Sequence, residues 1–245
     1  MGEKMISSIV LVGGNYDKKL LDECLDSLSW ADEVVRVETG SIPGSFSEWR
    51  NYGAQKATGE WLLYVDSDEE VSNDLRIEIL KLIRNSKLEI RNSAYAIPRK
   101  NILLGRVMRY GGWWPDYVVR LIRKDSLIGW EGELHEQPKI KSLPAGGQGD
   151  IGKLKSPLIH NSHRSLTEMV EKTNEWSEIE AKLLFKSGHP KMNIIRFISA
   201  GAREFWYRGF RKLGFLDGTI GIIEIFYQTY SRLITYAKLW ELQIK

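Results

Sequence analysis

Four carboxylates stand within five residues in Asp66-Ser67-Asp68-Glu69-Glu70, directly after the apolar run WLLYV at 61–65. So much like charge at the end of a strand is costly unless a cation or a hydrogen-bond donor offsets it. Asp66 and Asp68 lie two residues apart, so both can reach one site at a strand-to-loop turn. Hard oxygen ligands in that position suit magnesium or manganese bridging to a diphosphate. The competing reading is structural: the cluster caps a helix expected from Asn73 by facing its dipole. A bare Asp-x-Asp is common, so the surrounding elements decide how much it means.

Those elements alternate. Ile6–Val12 is a short β-rich run ended by Gly13-Gly14-Asn15, and residues 17–29 place Leu20, Leu21, Cys24, Leu25 and Leu28 at helical spacing. EVVRVET at 33–39 is a second strand, 47–58 a helix with Ser47 as N-cap, and 61–65 a third strand apolar enough to be buried on both faces. An amphipathic helix follows over 73–83. Strand and helix in this order predict an α/β fold with a mostly parallel, Rossmann-like sheet, whose ligands bind beyond the carboxyl ends of the strands. Polar clusters at 13–15, 38–41 and 66–70 fall at those ends.

The middle reads as an α+β extension, with strand-like runs at 95–99, 118–123 and 133–136 and a Gly/Trp/Pro loop, RYGGWWPD, at 109–116. Residues 144–152 are glycine-rich and read as a loop. Three helices are expected from residue 165 onward, over 166–187, 194–213 and 220–244. The division expected is a catalytic domain over 1–164 and a helical extension over 165–245.

Composition excludes several classes. With 42% hydrophobic and 27% charged residues, the chain is neither disordered nor collagen-like. One cysteine, Cys24, excludes an internal disulfide and a cysteine-only zinc site and fits a reducing cytoplasm. The net charge of +3 does not imply nucleic acid as a partner. No targeting segment is expected, and no run reaches about 18 uncharged apolar residues. Charge is nonetheless concentrated: residues 186–212 hold seven Lys/Arg and one acid, Glu204, among Ile194, Ile195, Phe205, Trp206 and Phe210. A basic, aromatic-rich amphipathic helix is the pattern of an interfacial membrane element, and a merely solvated basic face stands beside that reading.

Motifs spread over nearly the whole chain carry a resemblance: SIVLVGGN, CLDSLSWADEVVRVETGS, RNYGAQKATGEWLLYVDSDEEV, AIPRKNILLGRVMRYGGWWPDYVVRLIRK, WEGELHE, LIHNSHRS and GFLDG with YAKLWELQ. In this order they resemble a family-2 glycosyltransferase of the GT-A fold, of the branch that includes lipopolysaccharide core β-glucosyltransferases. The resemblance implies an inverting enzyme that moves a sugar from a nucleotide-diphosphate donor to a hydroxyl, with Mg2+ or Mn2+. The acceptor it implies is a cell-surface glycan or a lipid-linked molecule. The place of action it implies is cytoplasmic, with peripheral attachment to the inner face of the cell membrane, and the basic C-terminal pattern adds an anionic surface as an expected further partner.

The resemblance also assigns residues. Glu38 matches a position where the family usually has an Asp touching the nucleotide base. Arg50, in the Arg-Asn motif, faces the nucleotide or its phosphates. Asp66 lies near the ribose or the metal, and Asp68 is the more direct metal ligand. His160 completes the metal shell in preference to His163. Inverting transfer needs a base near the acceptor hydroxyl; Glu136 is the first choice and Asp116 the second, with His135 orienting Glu136 or binding the diphosphate. Arg120 and Arg123 are phosphate candidates, and Trp113 and Trp114 sugar-stacking candidates.

Two departures keep other readings open. Only eight residues separate Ser41 from Arg50, where the family has a longer stretch, and Gly13-Gly14 stands where relatives often carry a Thr and a charged residue. A catalytically inactive relative serving as a glycan-binding or membrane scaffold is therefore the alternative. A nucleotidyltransferase fits less well, because GGNYDKK is a poor match to its glycine-rich basic loop.

Overall fold

The computed structural model describes residues 5–14, 16–85, 92–132, 136–141 and 151–245. Two compact units divide the chain: Met1–Lys100 with Asp116–Asn161, and Asn101–Pro115 with Ser162–Lys245. The first unit opens with β1 (Ile6–Val12), α1 (Lys18–Ser27), β2 (Glu33–Glu38), α2 (Phe46–Lys56), β3 (Trp61–Asp66), β4 (Glu69–Val71) and α3 (Asn73–Asn85). β5 (Ala94–Leu103) runs from the first unit into the second, which holds β6 (Arg106–Val107). The first unit then resumes with β7 (Asp116–Arg123), β8 (Leu127–Glu131), β9 (Gln137–Ile140) and β10 (Ile151–Lys153). β11 (Leu158–His163) leads back to the second, made of α4 (Leu166–Lys186), α5 (Ile194–Trp206) and α6 (Gly218–Ile244).

The main sheet has the order β2-β1-β3-β7-β5-β11-β4. β1 pairs in parallel with both β2 and β3, and β7 joins the far side of β3 antiparallel. This is the α/β sheet with C-terminal helices expected from the sequence. Alternation along β3 explains why its run is apolar throughout. Trp61, Leu63 and Val65 meet Leu21 and Cys24 of α1, Leu28 just after it, and Leu75, Ile79 and Ile83 of α3 on one face. Leu62 and Tyr64 meet Val37, Ile122 and Trp130 on the other. A strand covered on both faces has no place for a polar residue until it ends, and this one ends at Asp66.

Two local outcomes differ from the sequence reading. α2 starts two residues earlier than Ser47 would allow: Ser45 is the N-cap, its hydroxyl accepting from Glu48 N while the Glu48 carboxylate accepts from Ser45 N. That reciprocal Ser-x-x-Glu pair satisfies two orphan donors, which Ser47 has no partner to do. The second C-terminal helix stops at Trp206 and continues as a wider π turn, Tyr207–Arg211, and a 3-10 turn, Gly214–Asp217. Between those turns Leu213 takes a left-handed conformation, φ 55°.

In the second unit Ala181, Met192 and Leu239 form a core with Leu184, Phe197, Tyr236 and Leu242. The loop after β6 is pinned within the same unit. Asp217 accepts from Arg109 N and, at 2.8 Å, Tyr110 N, and Gly111 N donates to Lys212 O at 2.9 Å. Among the described residues no helix is long and apolar enough to cross a membrane.

Candidate active site

Two helix features deliver Arg50 to the carboxyl end of β3. Gly53, one turn further along α2, lets the helix lie against the sheet; a Cβ there would sit 2.5 Å from Ile9 Cγ2. Asn51 docks β8 onto α2 as a strand would, its Oδ1 accepting from Trp130 N at 2.8 Å and its Nδ2 donating to Trp130 O at 3.1 Å. The Arg50 guanidinium consequently lies 5.0 Å from the Trp130 ring centroid, a cation–π contact sheltered from water.

The charges then form a chain. Arg50 donates through Nη2 to Asp66 Oδ1 and through Nε to Glu136 Oε1, both at 2.9 Å. Arg120 Nη2 donates to Asp66 Oδ2 and, at 3.2 Å, to Glu69 Oε1. Arg99 Nη1 stands 3.7 Å from Glu69 Oε1, and its Nη2 lies 2.7 Å from Asp116 Oδ2. Four carboxylates thus alternate with three guanidiniums from Glu136 through Asp66 and Glu69 to Asp116. Register brings them together: Leu63 opposite Leu121 sets Arg120 beside the end of β3, and Arg99 pairs with Asp116 across β5 and β7.

Asp66 is 28% exposed while Arg50 and Arg120 are almost wholly enclosed. Burial alone would raise the Asp66 carboxyl; Arg120 and then Arg50 outweigh it and hold the group well below the usual carboxylate range. Burial likewise works against the Arg120 charge, and Asp66 and Glu69 more than restore it. Nη1 of Arg50 and Nε of Arg120 are buried with no hydrogen-bond partner among the described residues, so neither guanidinium has used its full donor capacity.

The acidic run is not a helix cap. It is a tight turn from β3 into β4, and Glu69 returns to the site as a wholly buried strand residue whose Oε2 accepts from Asp66 N at 3.0 Å. Glu69, Arg99 and Trp130 are the members that sequence reasoning missed. Asp68 points elsewhere, with Oδ2 3.7 Å from His160 Nε2, a pairing set by β11 lying antiparallel to β4 with His160 opposite Glu69. For a divalent cation, Asp68 and His160 are a compatible oxygen and nitrogen pair. Both Asp66 oxygens are already engaged by arginines, and no group of three metal-ligating side chains occurs among the described residues.

Glu38 is not part of this cluster: its carboxylate pairs with Arg36 at 2.9 Å. Arg123 pairs with Asp125 at 2.7 Å, turning away from Arg120 as strand alternation requires. In the second unit, Trp113 lies under the Arg208 guanidinium and Trp114 is exposed. His135 and Asn15 lie outside the described residues.

No protein-family model matches the chain. An uncharacterized glycosyltransferase of Rickettsia felis is 27% identical over 243 residues, which cover 94% of this chain and 84% of that protein. LpsC of Rhizobium meliloti, a lipopolysaccharide core biosynthesis glycosyltransferase, is 23% identical over 256 residues, covering 92% and 88%. The chain's curated homologues are glycosyltransferases. That enzyme class is the one to which the sequence relates both compact units, since the alignments run through each. Among solved structures, S. aureus TarS 1-349 in complex with UDP-GlcNAc matches 97% of this chain and 88% of its own, at 15% identity and a TM-score of 0.44. A likeness of that size transfers nothing to individual residues here.

Proposed function

We propose that the chain moves a sugar from a nucleotide-diphosphate donor to a hydroxyl of a cell-surface glycan or lipid-linked acceptor, with inversion at the anomeric carbon. One observation carries the reading: Arg50 holds both Asp66 and Glu136, at the carboxyl end of a central strand, where α/β sheets bind their ligands. The arginine couples a carboxylate suited to the donor's hydroxyls to one suited to the acceptor. Glu136 takes the proton from the acceptor hydroxyl as that oxygen bonds to the anomeric carbon. The bond from that carbon to the diphosphate oxygen breaks on the opposite face, and the nucleoside diphosphate leaves with the electron pair. Asp116 is the second candidate base; Arg99 orients it as Arg50 orients Glu136. A divalent cation held by Asp68 and His160 would offset charge on the diphosphate. Lipid-linked acceptors of this kind would put the chain at the cytoplasmic face of the cell membrane.

Calorimetric titration of UDP, GDP, CDP and dTDP, with and without manganese, tests the donor half on wild type and Asp68→Ala. Metal-dependent binding of one nucleotide, lost in the variant, is expected. No binding of any nucleotide would overturn the transferase reading in favour of a scaffold. Glu136→Gln and Asp116→Asn then separate the bases: the variant that binds nucleotide normally and loses turnover identifies the proton acceptor.

A further inference from the structure

α5 is apolar on two faces, and the described residues cover only one of them. Phe197, Ala200 and Gly201 turn toward the other helices of the second unit, with Gly201 close enough to Leu233 that a Cβ would lie 3.0 Å from its Cδ2. At 100° per residue, Ile195 and Trp206 fall on the opposite side with Ile198 at its flank, and these three and Ile194 of the first turn are exposed, Ile195 to 75%. The uncovered surface continues beyond the helix as a set of rings. Trp206 stacks on Phe210 at 5.0 Å, Phe210 meets Phe215 and Phe205, and Phe205 meets Phe226 of α6. Leu213, between the two short turns, and Phe215 and Leu216 of the second are exposed as well.

The charges around this surface have one sign. Lys191, Arg196, Arg203, Arg211 and Lys212 are exposed. Only two acids occur between Ser187 and Ile223, and both face inward. Glu204 pairs with Arg208 at 2.8 Å, and Asp217 is buried on the backbone of Arg109 and Tyr110.

We propose that this face docks on a bilayer containing anionic phospholipid, with the rings and isoleucines entering the headgroup boundary and the five cations on lipid phosphates. Aromatic rings at interface depth, a fringe of Lys and Arg and inward-turned acids complement such a surface. The proposal stands independently of the charge chain in the first unit.

Flotation of the full chain with vesicles decides it. The chain is expected to float with phosphatidylcholine–phosphatidylglycerol vesicles, and about tenfold less with phosphatidylcholine alone or at high salt. Trp206→Ser with Phe210→Ser is expected to weaken flotation about tenfold at low salt. Arg211→Gln with Lys212→Gln should do the same while removing most of the salt effect. All four side chains are exposed, and unchanged circular dichroism verifies folding. Failure of the wild type to float, equal flotation on neutral vesicles, or wild-type flotation by both variants would overturn the proposal. So would a dimer in light scattering that Trp206→Ser with Phe210→Ser converts to monomer without any vesicle binding, since the face would then cover a second copy.

Discussion

At the scale of single residues, Asp66 is the group on which the site's electrostatics turn. It accepts from two enclosed guanidiniums, each of which would otherwise be a buried charge short of a partner. Because its folded-state pKa lies below the ordinary value of 3.8, its stabilising contribution is fully present above that value. The contribution is lost as pH falls through the lower, folded-state pKa. Asp66→Asn keeps the shape and discards the charge. It is expected to cost about 3 kcal/mol at neutral pH, the scale for breaking a buried ion pair from one side. The gap from wild type should narrow as pH drops below about 4. Urea unfolding at pH 7 and in acid checks both; a gap independent of pH would mean that Asp66 is not ionised in the folded state.

Between elements, close approach and burial make different demands. Gly53 costs α2 helix propensity, yet an alanine there would press its Cβ to 2.5 Å from Ile9 Cγ2 and 3.2 Å from Val37 Cγ2. Alanine's propensity gain is about 1 kcal/mol and overpacking costs about 1–3, so Gly53→Ala should be net destabilising. It should also weaken nucleotide binding, because α2 carries Arg50; thermal melts and titration read the two effects separately. Along α6, burial pushes the Glu224 carboxyl up to about 7, against the opposing pull of the Gln228 hydrogen bond and the Arg208 charge. A raised carboxyl makes the folded state the stronger proton binder, so stability falls as pH rises from about 4.5 through 7. Glu224→Gln removes that dependence and still accepts from Gln228. It is expected to match wild type near pH 4 and to exceed it by about 2–3 kcal/mol at pH 8, as measured by denaturant unfolding across pH.

Across the whole molecule, what could be read from sequence divides by range. Strand β1, the apolar β3 and helices α1, α3 and α4 carry their periodicity within the segment, so they were legible to within a few residues. The carboxylate cluster and Arg50 were visible as chemistry for the same reason. Glu69, Arg99 and Trp130 were not, because their roles depend on which strands become neighbours. Nothing near Glu69 announces that a three-residue strand will pair with β11, or that Arg99 and Asp116 will face one another across β5 and β7. The capping pair Ser45 and Glu48 was there to be read and marks the true start of α2. Long-range pairing also governs how the chain can be cut. Residues 101–115 group with 162–245 although a whole strand system separates them in sequence. A chain ending at residue 164 would retain the Arg109–Gly112 loop without Asp217, which holds two of its N–H groups, without Lys212 O and without the Arg208 contact to Gly111 O. Those backbone groups would then depend on water, and the glycines at 111 and 112, both at positive φ, would lose what fixes them. Such a chain is expected to melt well below the full-length protein and with a broader transition in scanning calorimetry. Asp217→Asn in the full chain should show a smaller shift in the same direction. Identical melting of the truncated and full chains would mean that the loop is held by residues 1–164 alone.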